Sequence, residues 1–355
     1  MVVLFLARPG EVLAAKAQSE FSGVLVTAAQ TTSARLSDLK PEGYRAAVLA
    51  LAAEPASSDN AAARRIRKAG LDLYYWIEIA HNPSLAEVHP EWMASIQTHP
   101  EWRRFFPNLP PLTTNEVVKT YPWVPVGYQE TFSVHLDRVK QLLKANPAPE
   151  GIFLNDLQAA PSACGCGHHL CRWTPDYGPI TTATRLGNDA AARFVGEVKK
   201  LAPTARVIPV WTTECEEGDA EELCASVGCF RGACWREFTA QLTPLATEAD
   251  TIAALLTYKD LQRDLPRYGP AAGWLTHAIG SFSEMPRRYG AAPISASRII
   301  AVLQGWDVTA EQIKAQIARS KEAAVAGYVL SLTKLDQSWQ PRIVDTRKPG
   351  IRGPR

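Results

Sequence analysis

The chain lacks a dominant charge. Its 38 Lys and Arg stand against 36 Asp and Glu, a formal net of +2 over 355 residues. It has no stripe of basic residues, which argues against a nucleic-acid partner. It has no apolar run near the ~18 residues that a membrane helix needs, so no membrane span is expected. No strand-like run is followed by a glycine-rich phosphate loop, which weakens a nucleotide-binding reading. There is no Cys-X-X-Cys-His, so covalent haem is not expected. Met1–Ala7 is apolar but has no basic start, and no clear cleavage site follows. It reads as a strand rather than a signal peptide. Cysteine is absent from most of the chain: all seven fall between Cys164 and Cys234.

What is present describes a globular protein, with 46% hydrophobic and 21% charged residues. Short apolar runs recur along it. The clearest cover residues 23–29, 73–80, 151–154, 205–211, 251–257, 298–304 and 327–332. Tyr44–Ala53 fits strand or helix by periodicity alone. Helical patterns separate many of these runs. Ala61–Gly70 ends in glycine with basic residues in its last turn. Thr131–Ala145, Thr181–Leu201 and Phe238–Ala249 follow. Thr309–Ala326 opens on a capping box, Thr309 with Gln312. About eight strands alternating with helices predict a single (β/α)8, TIM-like barrel over residues 1–340. A doubly wound sheet is the competing architecture. Residues 81–128 carry eight prolines and a near-repeat, His89-Pro-Glu-Trp92 and His99-Pro-Glu-Trp102, and read as an enlarged loop. The basic, Pro- and Gly-rich tail, 341–355, reads as disordered.

The candidate chemistry lies at strand ends. Asp156 stands where the Gly151–Leu154 run stops, and Glu214 stands just past Ala205–Trp211. Consecutive strands usually neighbour each other, so Asp156 and Glu214 are expected to meet at the C-terminal face of the barrel. Two carboxyls there suit glycoside hydrolysis, one as acid and the other as nucleophile or base. Glu78 and Glu284 are weaker acidic candidates. Glu78 alternates with apolar neighbours and suits a polar barrel layer. The chain holds 10 Trp. Trp76, Trp211 and Trp306, on or just after strands, are candidates to line a sugar cleft together with Glu78 and Gln304; core packing is the plainer reading of each Trp. Carbohydrate is the expected partner. Cys164, Cys166, Cys171 and Cys215 lie in two loops after consecutive strands. Disulfides in an exported protein, mature after loss of a leader, are the first reading of these cysteine-rich loops. A structural zinc site is the second. A catalytic cysteine is the third. No cofactor is required by any motif.

Four stretches also carry a resemblance: Lys68-Ala-Gly70 to Trp76, the His-Pro-Glu-Trp segment, Gly151–Asp156, and Gln304–Leu332. Together they resemble uncharacterised bacterial glycoside-hydrolase-like barrel proteins, over roughly residues 60–335. The resemblance implies that Asp156 is the nucleophile and Glu214 the acid. The cysteine loops belong to no glycosidase pattern. Two other classes therefore stand beside the hydrolase: a non-catalytic carbohydrate- or protein-binding barrel, and a metal-binding protein built on the Cys/His loops. Intact-mass measurement without reductant, with elemental analysis, separates the cysteine readings. Disulfides are expected, with one thiol left over because seven is odd. Fully reduced, metal-free cysteines would contradict both the disulfide and the zinc readings.

Overall fold

The computed structural model describes residues 20–97, 108, 110–111, 113, 116–119, 121–159, 172–174, 184–212, 234–256, 272–333 and 342–345. Within them the strands run in chain order. They are β1 (Phe21–Thr27), β2 (Ala46–Ala50), β3 (Asp72–Glu78), β4 (Ser95–Gln97), β5 (Glu116–Lys119) and β6 (Gly151–Asn155). Then come β7 (Arg172–Thr174), β8 (Arg206–Thr212), β9 (Ile252–Leu256), β10 (Ile299–Gln304), β11 (Gly327–Ser331) and β12 (Arg342–Asp345). Eight of them close a barrel in the order β1-β11-β10-β9-β8-β6-β3-β2. Every ladder in it is parallel. Helices alternate with these strands, among them Ser57–Lys68, Gln129–Ala145, Ala190–Leu201, Cys234–Glu248, Trp274–Glu284 and Ala310–Glu322. The architecture is a (β/α)8 barrel. The ambiguous Tyr44–Ala53 run resolves as strand β2 because both its faces are covered.

Continuous apolar strands follow from this double burial. On β3, Tyr74 and Trp76 point into the barrel, while Leu73, Tyr75 and Ile77 pack outward against helices. On β8, Ile208 and Val210 point in, and Val207 and Trp211 point out. The capping box forms as the sequence predicts. Thr309 Oγ1 accepts from the Gln312 amide at 3.2 Å, and Gln312 Oε1 accepts from the Thr309 amide at 2.7 Å.

The loop after β3 is more regular than its proline content suggests. It holds the helix Pro83–Val88 and the strands β4 and β5. His89-Pro-Glu-Trp92 makes a tight 3-10 turn in which the His89 ring stacks on Trp92 at 3.8 Å and meets Glu91 Oε1 at 3.0 Å. The second His-Pro-Glu-Trp, at 99–102, lies outside the described residues. β4 pairs with β7 from the loop after β6, and β5 pairs with β12. The disordered reading of the tail is thus corrected for Arg342–Asp345, which gains backbone partners from β5.

The seam between β1 and β11 needs glycine. Gly327 has φ +151°, and a Cβ there would lie 2.1 Å from the Phe21 carbonyl oxygen. Gly327→Ala is expected to cost about 3 kcal/mol or more. Ala324, exposed just past the helix Ala310–Glu322, has φ 53°. Left-handed backbone is unfavourable for alanine, so Ala324→Gly is expected to stabilise by about 1 kcal/mol. Urea unfolding of both variants checks the pair of signs.

Candidate active site

The inward face of the barrel changes character at its C-terminal end. Lower positions are apolar: Leu25, Val48, Trp76, Phe153, Val210, Val302 and Val329 form one buried cluster. Strand register shows what lies above. Glu78 pairs with Asn155, and Leu154 with Pro209, so Asn155 is level with Val210. Val210 pairs with Ala253, and Ala253 with Ile300. Going the other way round, Trp76 pairs with Ala50 and Ala50 with Thr27. Leu25 pairs with Ser331, and Ser331 with Gln304. Trp76 is therefore level with position 306, and Glu78 with position 308. The two walks reach β10 at 300 and 308, the stagger of about eight that such a barrel requires. Midway lies Gln304, directly across the barrel from Glu78. The same counting puts Thr27 in this layer. Glu78, Gln304 and Thr27 make this top layer polar, and beneath it Asn155 and Ser331 add two more polar residues.

In this layer two carboxyls meet. Asp156 follows β6 immediately, with φ 61°, a left-handed turn that Asp tolerates better than most residues. Its carboxyl lies against the Glu78 side chain. Two carboxyls in contact share a hydrogen bond only if one of them carries a proton. Glu78 is otherwise an acceptor: Trp76 Nε1 donates to Oε1 at 2.5 Å, and Asn155 Nδ2 donates to Oε2 at 2.8 Å. Asp156 is the more buried of the two, 8% exposed. Burial first, and then the negative charge of Glu78, push the Asp156 carboxyl well above its ordinary range.

The pair is supported from behind. Arg138, buried on Gln129–Ala145, donates through Nη2 to the Glu78 carbonyl and through Nη1 to the Ala53 carbonyl at 3.3 Å. Ladder bonds continue past β3, with the Ile79 amide on the Asn155 carbonyl at 3.0 Å and the Ala80 amide on the Asp156 carbonyl at 3.1 Å. These contacts fix the backbone at both acidic residues. A preorganised acid–base group needs such support.

The sequence candidates divide as follows. Asp156 and Glu78 come together. Gln304 shares their layer. Trp76 lies under the pair, 1% exposed, and serves Glu78 as a donor rather than lining an open cleft. Trp211 packs on the outward face of β8 among the helices, so it does not meet Trp76; the shared three-Trp cleft is corrected on that ground. Trp306 is half-buried, and its carbonyl accepts from Gln304 Nε2 at 2.9 Å. Glu284, on the helix Trp274–Glu284, pairs with Arg287 at 2.8 Å. Glu214, Cys164, Cys166, Cys171 and Cys215 lie outside the described residues. Among the described residues, no group of three or more His, Cys, Asp or Glu side chains is placed to hold a metal ion, and no helix is long and apolar enough to cross a membrane.

Sequence reasoning missed Asn155, Arg138 and the Glu78–Asp156 contact. The Glu78 signal was available, since an acid two residues beyond an inward Trp continues the same face. A cavity of about 370 Å³ opens at the other end, beside Lys199, Arg206, Asp250 and Thr251. Arg206 starts β8, Asp250 and Thr251 lead into β9, and Lys199 lies in the last turn of the helix before β8, so the cavity lies on the face where a barrel carries stability rather than chemistry.

No protein-family model matches this sequence, and neither does any curated protein. Among solved structures the chain is similar to a tryptophan synthase from M. tuberculosis in an aminoacrylate-bound form. Identity is 10%, coverage is 88% of this chain and 83% of that one, and the TM-score is 0.36. At that level the match adds nothing to the barrel read directly from strand pairing.

The raised Asp156 pKa has a stability consequence. Below the ordinary value of 3.8 the group is protonated in both folded and unfolded chains. Above it the unfolded chain ionises freely and the folded chain resists, so this residue lowers stability as pH rises, until the folded carboxyl ionises too. Asp156→Asn keeps a donor toward Glu78 and removes that penalty. The variant is expected to match the wild type in acid and to be the more stable near neutrality, by urea unfolding across pH. A variant less stable at every pH would contradict the shared proton.

Proposed function

We propose that this protein is a glycoside hydrolase in which the Glu78–Asp156 pair supplies the proton. One observation carries the reading: two carboxyls in contact at the polar C-terminal end of the barrel, where barrel enzymes work, with burial and the charge of Glu78 pushing the Asp156 carboxyl well above its ordinary range. Asp156 then serves as the acid reservoir, and Glu78, the more open of the two, presents the proton to a leaving oxygen. Once the proton leaves, the pair is a base poised to take another from water.

This division reverses the roles that the resemblance implies. A protonated Asp156 is a poor nucleophile. Carboxyls in hydrogen-bond contact are also closer than the ~5–5.5 Å that separates nucleophile from acid in retaining enzymes, or the ~6.5–9.5 Å of inverting ones. The pair therefore acts as one unit, and the opposing carboxylate must come from elsewhere. Glu214 is the candidate, two residues beyond β8, which pairs with β6. Carbohydrate fits the polar layer as a substrate rich in hydroxyls.

The test is a screen of aryl glycosides and natural glycans with the wild type, Asp156→Asn, Glu78→Gln and Glu214→Gln. Activity in the wild type is expected, with losses of about 10²- to 10⁴-fold for each variant. An active wild type whose Asp156→Asn variant keeps near-full rate would overturn the assignment. A wild type that binds glycans and hydrolyses none would make this a binding barrel.

A further inference from the structure

Gln304 is held in place on every side but one. Its amide donates to Gln316 Oε1 at 3.0 Å, and its carbonyl accepts from Gln316 Nε2 at 2.8 Å. Gln316 belongs to the helix Ala310–Glu322 and is itself 1% exposed. This two-point clamp fixes the last residue of β10 from outside the barrel. Ile300 and Val302 point inward, so the side chain of Gln304, two residues further on, does too. There Nε2 donates to the Trp306 carbonyl at 2.9 Å. That bond also sets the amide orientation, since a flipped amide would face oxygen to oxygen. Gln304 Oε1 is left buried with no hydrogen-bond partner, in a residue 1% exposed.

A buried carbonyl acceptor without a partner costs roughly 1–3 kcal/mol. Among the other orphaned polar atoms, His135 Nδ1 and Asn146 Oδ1 belong to Gln129–Ala145 and the residue after it, away from the barrel axis, and Gln158 Oε1 lies in the loop beyond β6. Gln304 differs in position, because register places it across from Glu78 in the same polar layer.

We propose that Gln304 Oε1 is a recognition point for a ligand hydroxyl, so that a polyhydroxylated ring binds across the mouth with one edge on Gln304 and the other on the Glu78–Asp156 pair. The inference deepens the hydrolase reading and rests on the same site. The ligand donates a hydrogen bond that Gln304 lacks, and the Gln316 clamp holds the acceptor still while it does so. An acceptor of this kind selects for the hydroxyl and against its absence, because the deoxy ligand leaves the carbonyl unsatisfied.

The experiment measures binding, not turnover. Titration calorimetry uses methyl glycosides of glucose, galactose, mannose and N-acetylglucosamine, with their monodeoxy analogues, against the wild type, Gln304→Met and Gln304→Glu. At least one glycoside is expected to bind the wild type, and one deoxy analogue to bind it about 10-fold or more weaker. In Gln304→Met that parent glycoside should weaken to the level of its deoxy analogue, so the hydroxyl no longer matters. Gln304→Glu, which keeps an acceptor, should retain the preference. A merely structural role would weaken parent and deoxy ligands alike in both variants, and that result overturns the proposal. So does an unchanged hydroxyl preference in Gln304→Met, which would leave the orphaned atom to a buried water only, and so does absence of glycoside binding to the wild type. Binding with the expected pattern but no hydrolysis would leave this inference standing and remove the hydrolase. Hydrolysis with no Gln304 effect would do the reverse.

Discussion

The contact between the Glu78 and Asp156 carboxyls is the constraint from which the rest of the site follows. Two like charges in contact inside a protein repel strongly, so the contact exists only with one of them neutral. Burial, and then the negative charge of Glu78, favour the neutral form on Asp156, while Glu78 accepts from Trp76 and Asn155. The pair has an internal asymmetry, an acid beside its own acceptor. The same logic separates paired carboxyls into distinct roles wherever environment treats them differently.

The barrel supplies that asymmetry through register. Parallel register places the last inward residues of alternate strands in one layer, and β3 and β6 are neighbours with Glu78 paired to Asn155, so Glu78 and the residue after Asn155 approach each other. The left-handed turn at Asp156 redirects its side chain just where the strand ends. Trp76 beneath and Arg138 behind then lock Glu78 through side chain and backbone separately. Opposite them, Gln304 is fixed by Gln316 with equal rigidity. The polar mouth is thus a set of held groups facing one another, above a floor of packed apolar side chains.

Much of this is legible in the chain and some is not. Buried parallel strands write themselves as apolar runs, so the barrel, the capping box at Thr309 and the position of Asp156 can all be read directly. Pairing between strand ends is harder. Asp156 has two flanking strands, β3 and β8, and the rule that consecutive strands adjoin points equally to Glu78 and to Glu214. Proximity in sequence favours the cysteine-flanked Glu214, while the contact to Glu78 depends on the exact register and on a backbone turn that no pattern announces. The Trp residues mislead for a related reason. A strand residue faces in or out according to parity, and Trp76 and Trp211 fall on opposite parities relative to the barrel axis. Short strands such as β12 carry too few residues for periodicity to register, so a basic tail reads as coil although part of it pairs with β5.

The central claim is that Asp156 keeps its proton well above the pH at which a free Asp loses it. Infrared difference spectroscopy between the wild type and Asp156→Asn tests it without any substrate. The account predicts a carbonyl stretch of a protonated carboxylic acid in the wild type near neutrality, lost in the variant. A spectrum in which the residue removed is an ionised carboxylate, with no acid band to lose, would contradict it.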